Sequence, residues 1–201
     1  MLFVAPKGLV VKKGLLIVLS SPSGGGKTTI AHRLLARDKN IVRSVSCTTR
    51  KPRVGEKDGR DYFFLTPSRF RAMVSRQAFL EWARVHHNSY GTPKAWVLSQ
   101  VHQGKDVLMV IDVQGGKAVK RRYPDALLIF LKPPSFKILK QRLQGRKSDS
   151  HEALKVRLKD ARWEMKEGRH YDFQVTNDVL SKAVRQVRAI IRAKRSGIKT
   201  V

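Results

Sequence analysis

An unbroken apolar run, Leu15 to Leu19, ends in Ser20 and predicts a buried strand over Leu15–Ser20. Similar runs predict strands at Val107–Asp112, Leu127–Leu131 and Phe173–Thr176. Between and after them the apolar positions recur at helical spacing, which predicts helices over Thr28–Arg37, Gly116–Arg122, Ser135–Gln144, Ser150–Glu167 and Leu180–Lys194. The last places Leu180, Ala183, Val184, Val187, Ile190 and Ile191 on one face. Lys182, Arg185, Arg188, Arg192 and Arg195 form the opposite stripe, read as a solvated outer face with a nucleic-acid face as the alternative. Strands alternating with helices imply a parallel sheet joined by crossovers.

The middle of the chain breaks this rhythm. Turn signals crowd it (Lys51-Pro52, Val54-Gly55, Asp58-Gly59, Tyr90-Gly91) between β-type pieces at 62–65 and 79–82. Thr66-Pro67 predicts a helix start, with a capping hydroxyl and proline at the first helical position. Residues 46–93 therefore read as a small inserted substrate domain. Residues 15–45 and 94–201 form the core, and 1–14 an N-terminal extension.

The turn after the first strand carries the chemistry. Ser21, Pro22, Ser23, Gly24, Gly25, Gly26, Lys27, Thr28 and Thr29 lead directly into a helix. Glycines let amide groups point inward, and the helix N-terminus adds partial positive charge. A lysine there reaches the β- and γ-phosphates, and a hydroxyl ligates Mg²⁺. The chain is thus expected to bind a nucleoside triphosphate. Ser21 holds the place of the loop's first glycine.

Charge changes the picture less than its size suggests. Forty-two Lys and Arg against 15 Asp and Glu give a formal +27. Such a field attracts polyanions. The basic residues are nevertheless spread along the whole chain, so a solvated surface is the plainer reading. Specific nucleic-acid binding is not expected. Cys47 is the only cysteine, which excludes an internal disulfide and suits a reducing, cytoplasmic setting. No apolar run approaches the ~20 residues of a membrane span. No Cys/His spacing of a transition-metal site is present.

Other positions gain meaning from chemistry. Arg50 and Arg53, in a stretch that Pro52 keeps non-helical, are placed to clamp one phosphate. Tyr62 and Tyr90 can add hydroxyls to it. Glu81, between Leu80 and Trp82, either faces water by strand alternation or accepts from the paired N–H donors of a guanine. Asp112 closes an apolar strand next to the phosphate loop, where an acid is costly without a role. Arg142, Arg146 and Arg157 bracket a polar stretch that can act as a lid over transferring phosphates.

Together these segments resemble the guanylate kinase family of bacterial type. The resemblance rests on Ser-x-Thr-Thr-Arg-x-Pro-Arg at 46–53, Gly55-Glu56, Asp-Tyr-x-Phe at 61–64 and Phe-Leu-Glu-Trp-Ala at 79–83. Tyr-Gly-Thr at 90–92, Ile-Asp-Val-Gln-Gly at 111–115, Arg-Leu-x-Gly-Arg at 142–146 and Asn177-Asp178 complete it. It implies an α/β fold with a P-loop NTPase-like parallel sheet core and helices on both faces. It also implies a small α+β GMP-binding insertion at 46–93 and a helical lid at about 142–157. The implied reaction phosphorylates GMP, and dGMP, from ATP with Mg²⁺.

By this resemblance Ser46, Glu81 and Thr92 recognise guanine, while Arg50, Arg53, Tyr62 and Tyr90 hold the GMP phosphate, with Asp112 between the GMP and metal regions. Residues 21–29 bind ATP with Arg142, Asn177 and Asp178. Lys27, Arg53, Arg146 and Arg157 act in catalysis. Thr28 ligates Mg²⁺, with Asp112 reaching it through water. A homodimer stays open. Three departures stand out: Val110 replaces a usual acid, and His87 and Ser89 replace a usual glycine and tyrosine. A non-catalytic peptide-binding module and a nucleic-acid-dependent ATPase are the rival readings.

Overall fold

The computed structural model describes residues 13–85, 87–145 and 151–198. Its centre is strand β1, Leu16–Ser20, buried along its whole length. The strand lies between β7 (Asp106–Val110) and β8 (Leu127–Lys132), parallel to both. β2 (Ile41–Arg43) and β9 (Phe173–Thr176) close the two edges, giving the order β2-β7-β1-β8-β9.

Alternation along β1 divides the core in two. Ile17 and Leu19 face helices α1 (Lys27–Arg37) and α7 (Leu180–Arg195), against Ile30, Leu34, Val184, Val187 and Ile191. Leu16 and Val18 face the opposite side. They pack with Val97 and Val101 of α3 (Lys94–His102) and Val113 and Val119 of α4 (Val113–Arg122). Each fully buried aliphatic side chain contributes roughly 1.5–3 kcal/mol relative to exposure. The helical stripe read on the last segment is thus the face that docks α7 on the sheet.

A second sheet, ordered β4-β3-β6-β5, is formed by β3 (Cys47–Thr48), β4 (Phe63–Phe64), β5 (Phe79–Val85) and β6 (Asn88–Pro93). Helix α2, Pro67–Ser75, covers it, and the Thr66 side chain accepts from the Arg69 amide as its cap. Phe70 stacks on Phe79 at 4.6 Å over Cys47. Leu80 of β5 reaches into the core cluster and anchors the second sheet. Two further helices, α5 (Phe136–Gln144) and α6 (His151–Glu167), pack on each other through Leu139, Leu143 and Ala161.

Several expectations change. The strand read as Val107–Asp112 stops at Val110, and Asp112 is the cap of α4, its carboxylate accepting from the Gly115 amide at 2.8 Å. Helix α3 and strand β2 are elements the apolar pattern does not announce. β2 is short, and α3 buries only Val97 and Val101 while Trp96 is exposed. Arg195 is not part of a solvated stripe, since its guanidinium bridges Asp38 and the buried Asp106. Residues 1–12 of the read extension lie outside the described residues.

Candidate active site

The carboxyl ends of β1 and β7 open into a cleft of about 700 Å³. Crevices at that edge of a parallel sheet are where ligands bind. Ser21 through Thr29 line one wall, and Ser46, Arg50, Arg53, Tyr62, Glu81 and Tyr90 line the other. Asp112 and Arg157 lie in the same cleft.

The loop wall is pre-shaped. Gly24 and Gly26 adopt φ of 81° and 92°, in the left-handed region open to glycine. A Cβ on Gly26 would stand 2.4 Å from Asn177 Nδ2, and Asn177 itself donates to the Gly25 carbonyl at 2.9 Å. Ser21, the departure from the loop pattern, is fully buried and its Oγ donates to the Pro22 carbonyl. Lys27 folds back to donate to the Ser21 carbonyl and Oγ, which lashes the loop's two ends together. Thr28 is exposed on the cleft wall.

On the facing wall the residues read as guanine contacts form one chain. Thr92 donates to Glu81 Oε1 at 2.7 Å, and Ser46 Oγ lies 3.1 Å from Thr92 Oγ1. Glu81 is 7% exposed, which settles its two readings against the solvent-facing one. The cause is a register shift between Phe79 and Glu81, which breaks strand alternation: Phe79 and Trp82 lie on the Phe70 side of β5, while Leu80 and Glu81 both turn toward α4. Burial pushes the Glu81 carboxyl up to about 7, with Asp112 adding repulsion and Thr92 pulling it back. Burial likewise raises Asp112, against the pull of its Gly115 amide and of Lys27.

Arg50 is held rather than loose. Glu56 grips it with both oxygens at 2.9 Å, and Tyr62 lies under the guanidinium at 5.4 Å. Tyr62 and Tyr90 meet edge to face at 6.1 Å. Arg53 is exposed, and its amide donates to the same Glu56. Glu56 is legible in the sequence only as part of the Gly55-Glu56 motif; its pairing with Arg50 depends on how the loop folds.

A second, smaller cleft of about 380 Å³ opens behind the loop, lined by Gly24, Gly26, Arg142, Asn177 and Asp178. Here Arg142 donates to the Asn177 carbonyl at 3.2 Å. Arg142 thus lies apart from Arg157, against the expectation of a shared lid: the first lines the smaller cleft and the second the main one. Arg146 lies outside the described residues.

One residue of the main cleft belongs to none of the motifs in the sequence. Glu164 of α6 accepts from the Ser23 amide at 3.3 Å. The available signal was Arg157, Asp160 and Glu164 on one helical face in a chain poor in acids.

Residues 13–194 match the sequence profile of the guanylate kinase family. A guanylate kinase of Rickettsia felis is 45% identical over 92% of this chain and 97% of that protein. The chain belongs to the guanylate kinase family. A guanylate kinase of Thermotoga maritima is 44% identical over 92% of the chain and 90% of that protein. The crystal structure of guanylate kinase from Anaplasma phagocytophilum superposes with a TM-score of 0.77 at 34% identity, covering 91% of this chain and 87% of that one.

Two of this guanylate kinase family member's departures now have physical accounts. His87 has φ of 67° at the β5–β6 turn, the conformation a glycine supplies more cheaply. Val110 lines the cleft and packs against the apolar cluster under α1, so the cleft wall is apolar where a carboxylate would otherwise stand. For Ser89, the backbone pairs with Thr49 in both directions, and nothing explains the side chain. Cys47 is buried, and its thiol is pushed up to about 11, so it is inert. Among the described residues no helix is long and apolar enough to cross a membrane.

Proposed function

We propose that this chain transfers the terminal phosphoryl group of ATP to GMP, and to dGMP, by direct in-line displacement. The observation that carries the reading is a single cleft with a phosphate loop on one wall and the Glu81–Thr92–Ser46 chain beside Arg50 on the other. Two nucleotides entering from opposite sides would meet phosphate to phosphate. Phosphoryl transfer needs little covalent chemistry from the protein, so positioning and charge stabilisation carry the rate.

On this reading the amides of residues 21–29 cradle the ATP phosphates, and Lys27 swings from Ser21 to the β- and γ-oxygens. Arg142, Asn177 and Asp178, in the smaller cleft, adjoin adenine. Glu81 accepts from guanine N1–H and N2–H₂, a donor pair adenine lacks, while Thr92 and Ser46 complete the edge. Arg50, Arg53, Tyr62 and Tyr90 bind the GMP phosphate. Arg157, with Arg146, neutralises the transferring group.

Mg²⁺ fits the available donors. Among the described residues no group of three or more His, Cys, Asp or Glu is arranged to hold a metal ion. The donors the cleft does offer, the exposed Thr28 hydroxyl and the Asp112 carboxylate, suit an ion carried mostly by substrate phosphates and water. Thr28 would ligate it, with Asp112 reaching it through water. When bound, it neutralises charge on the β- and γ-phosphates. A cytoplasmic setting, where both nucleotides are available, accords with the single reduced thiol.

The test measures ADP release from ATP and Mg²⁺ with GMP, dGMP, AMP, UMP and CMP supplied in turn. GMP and dGMP should be turned over well and AMP poorly. ADP formation with GMP no higher than that of Lys27→Ala would end the reading.

A further inference from the structure

The phosphate loop and the lid helix are joined by a carboxylate. Glu164 belongs to the face of α6 that borders the cleft, together with Arg157, Asp160 and Trp163. Its Oε2 accepts from the Ser23 amide at 3.3 Å, a donor of the loop expected to cradle phosphate. Lys27, from the loop's other end, attracts the same carboxylate, while Asp112 of the α4 cap and Asp160 one turn earlier on α6 repel it. Burial pushes Glu164 up to about 7. A carboxylate on a loop amide and near the loop lysine makes the contacts a phosphate oxygen would make.

We propose that Glu164 is a further functional residue of the ATP site, one that contends with the terminal phosphate for the Ser23 end of the loop and so sets nucleotide affinity. The inference rests on the phosphate loop receiving ATP, as proposed above. Two anions cannot share that end of the loop without repulsion, which is costly in a cleft partly shielded from water. ATP would displace Glu164 from Ser23, and α6 would move with it. The same helix carries Arg157. Arrival of the donor nucleotide is thereby linked to the position of a lid cation. ADP, with one phosphate fewer at that end, meets less opposition.

The experiment is calorimetric titration of the whole protein with ATP and with ADP, both with Mg²⁺, for wild type and Glu164→Gln. The glutamine keeps the size and an acceptor oxygen but removes the charge. Glu164→Asp, which keeps the charge and draws it back from Ser23, is the second variant. At pH 8, where a carboxyl that titrates at about 7 is mostly ionised, ATP should bind Glu164→Gln about tenfold more tightly than wild type, with ADP tightened less than about threefold, and the gain should vanish by pH 6. Glu164→Asp should shift in the same direction. In steady state the KM for ATP should fall in both variants without a rise in kcat. A residue that merely supports the fold yields no gain in affinity when removed. ATP binding that is unchanged or weaker in both variants overturns the inference, and leaves the kinase reading intact if wild type still turns over GMP. Wild type that binds no ATP overturns both.

Discussion

Thr92 donates its hydroxyl proton to Glu81 across 2.7 Å, from one strand of the second sheet to its neighbour. The bond fixes a buried carboxylate, and Asp112 nearby repels it. A carboxylate held in that way is costly and directional. Both properties suit recognition of a ligand edge that offers two donors.

Glu81→Gln should raise KM for GMP by roughly 10²-fold or more and leave KM for ATP within about threefold, because it leaves a buried guanine donor facing another donor. Steady-state kinetics with each substrate varied checks this. Equal losses for both nucleotides would contradict the role given to Glu81.

The same residue predicts a pH dependence. Glu81 titrates at about 7, above its ordinary 4.5, so kcat/KM for GMP should climb as pH rises through about 7 and be flatter in Glu81→Gln. Stability runs the other way. The folded state holds this proton more tightly than the unfolded chain, so wild type loses stability as pH rises from about 4.5 to about 7. Thermal unfolding across that window should therefore find Glu81→Gln gaining on wild type with rising pH.

Glu56 positions Arg50 for a phosphate. Its two oxygens fix the guanidinium plane, and both side chains are largely sheltered, at 15% and 20% exposure. Glu56→Gln should raise KM for GMP roughly three- to tenfold while kcat changes less, since the pair is worth about 1–2 kcal/mol in such a setting. A kcat loss as large as the KM change would mean that Glu56 acts on the transferring group itself.

Lid chemistry separates from binding chemistry. Arg157→Ala should lower kcat by roughly 10²–10³-fold with little change in nucleotide Kd, the pattern of a cation engaged mainly in the transition state. Single-turnover rates and equilibrium titrations distinguish this from a binding defect.

Gly26 is a local test of the loop. Gly26→Ala meets both a φ of 92° and Asn177 Nδ2 at 2.4 Å. It should abolish measurable ATP binding. Gly55→Ala has a φ of 84° but nothing within 4 Å, and should cost only about 1–2 kcal/mol of stability. Calorimetric titration with ATP and chemical unfolding of the two variants compare them.

Much of this protein was legible in residue order. β1, α1, β8, α5, α6 and α7 announce themselves because a strand buried on both faces must be apolar throughout, and a docked helix must repeat its apolar residues every turn. The phosphate loop is readable for the same kind of reason, since its glycines, lysine and hydroxyl act through positions adjacent in the chain. Tertiary structure decided what depends on residues far apart. Leu80 and Glu81 turn to the same side only because β5 slips register against β6. Arg195 leaves the outer stripe of α7 because Asp38 and Asp106, distant in sequence, converge beneath it. Glu164 gains its meaning only when α6 folds back over Ser23. Local periodicity records which face is apolar, whereas charge pairing and burial of a single carboxylate follow from what lies across the gap.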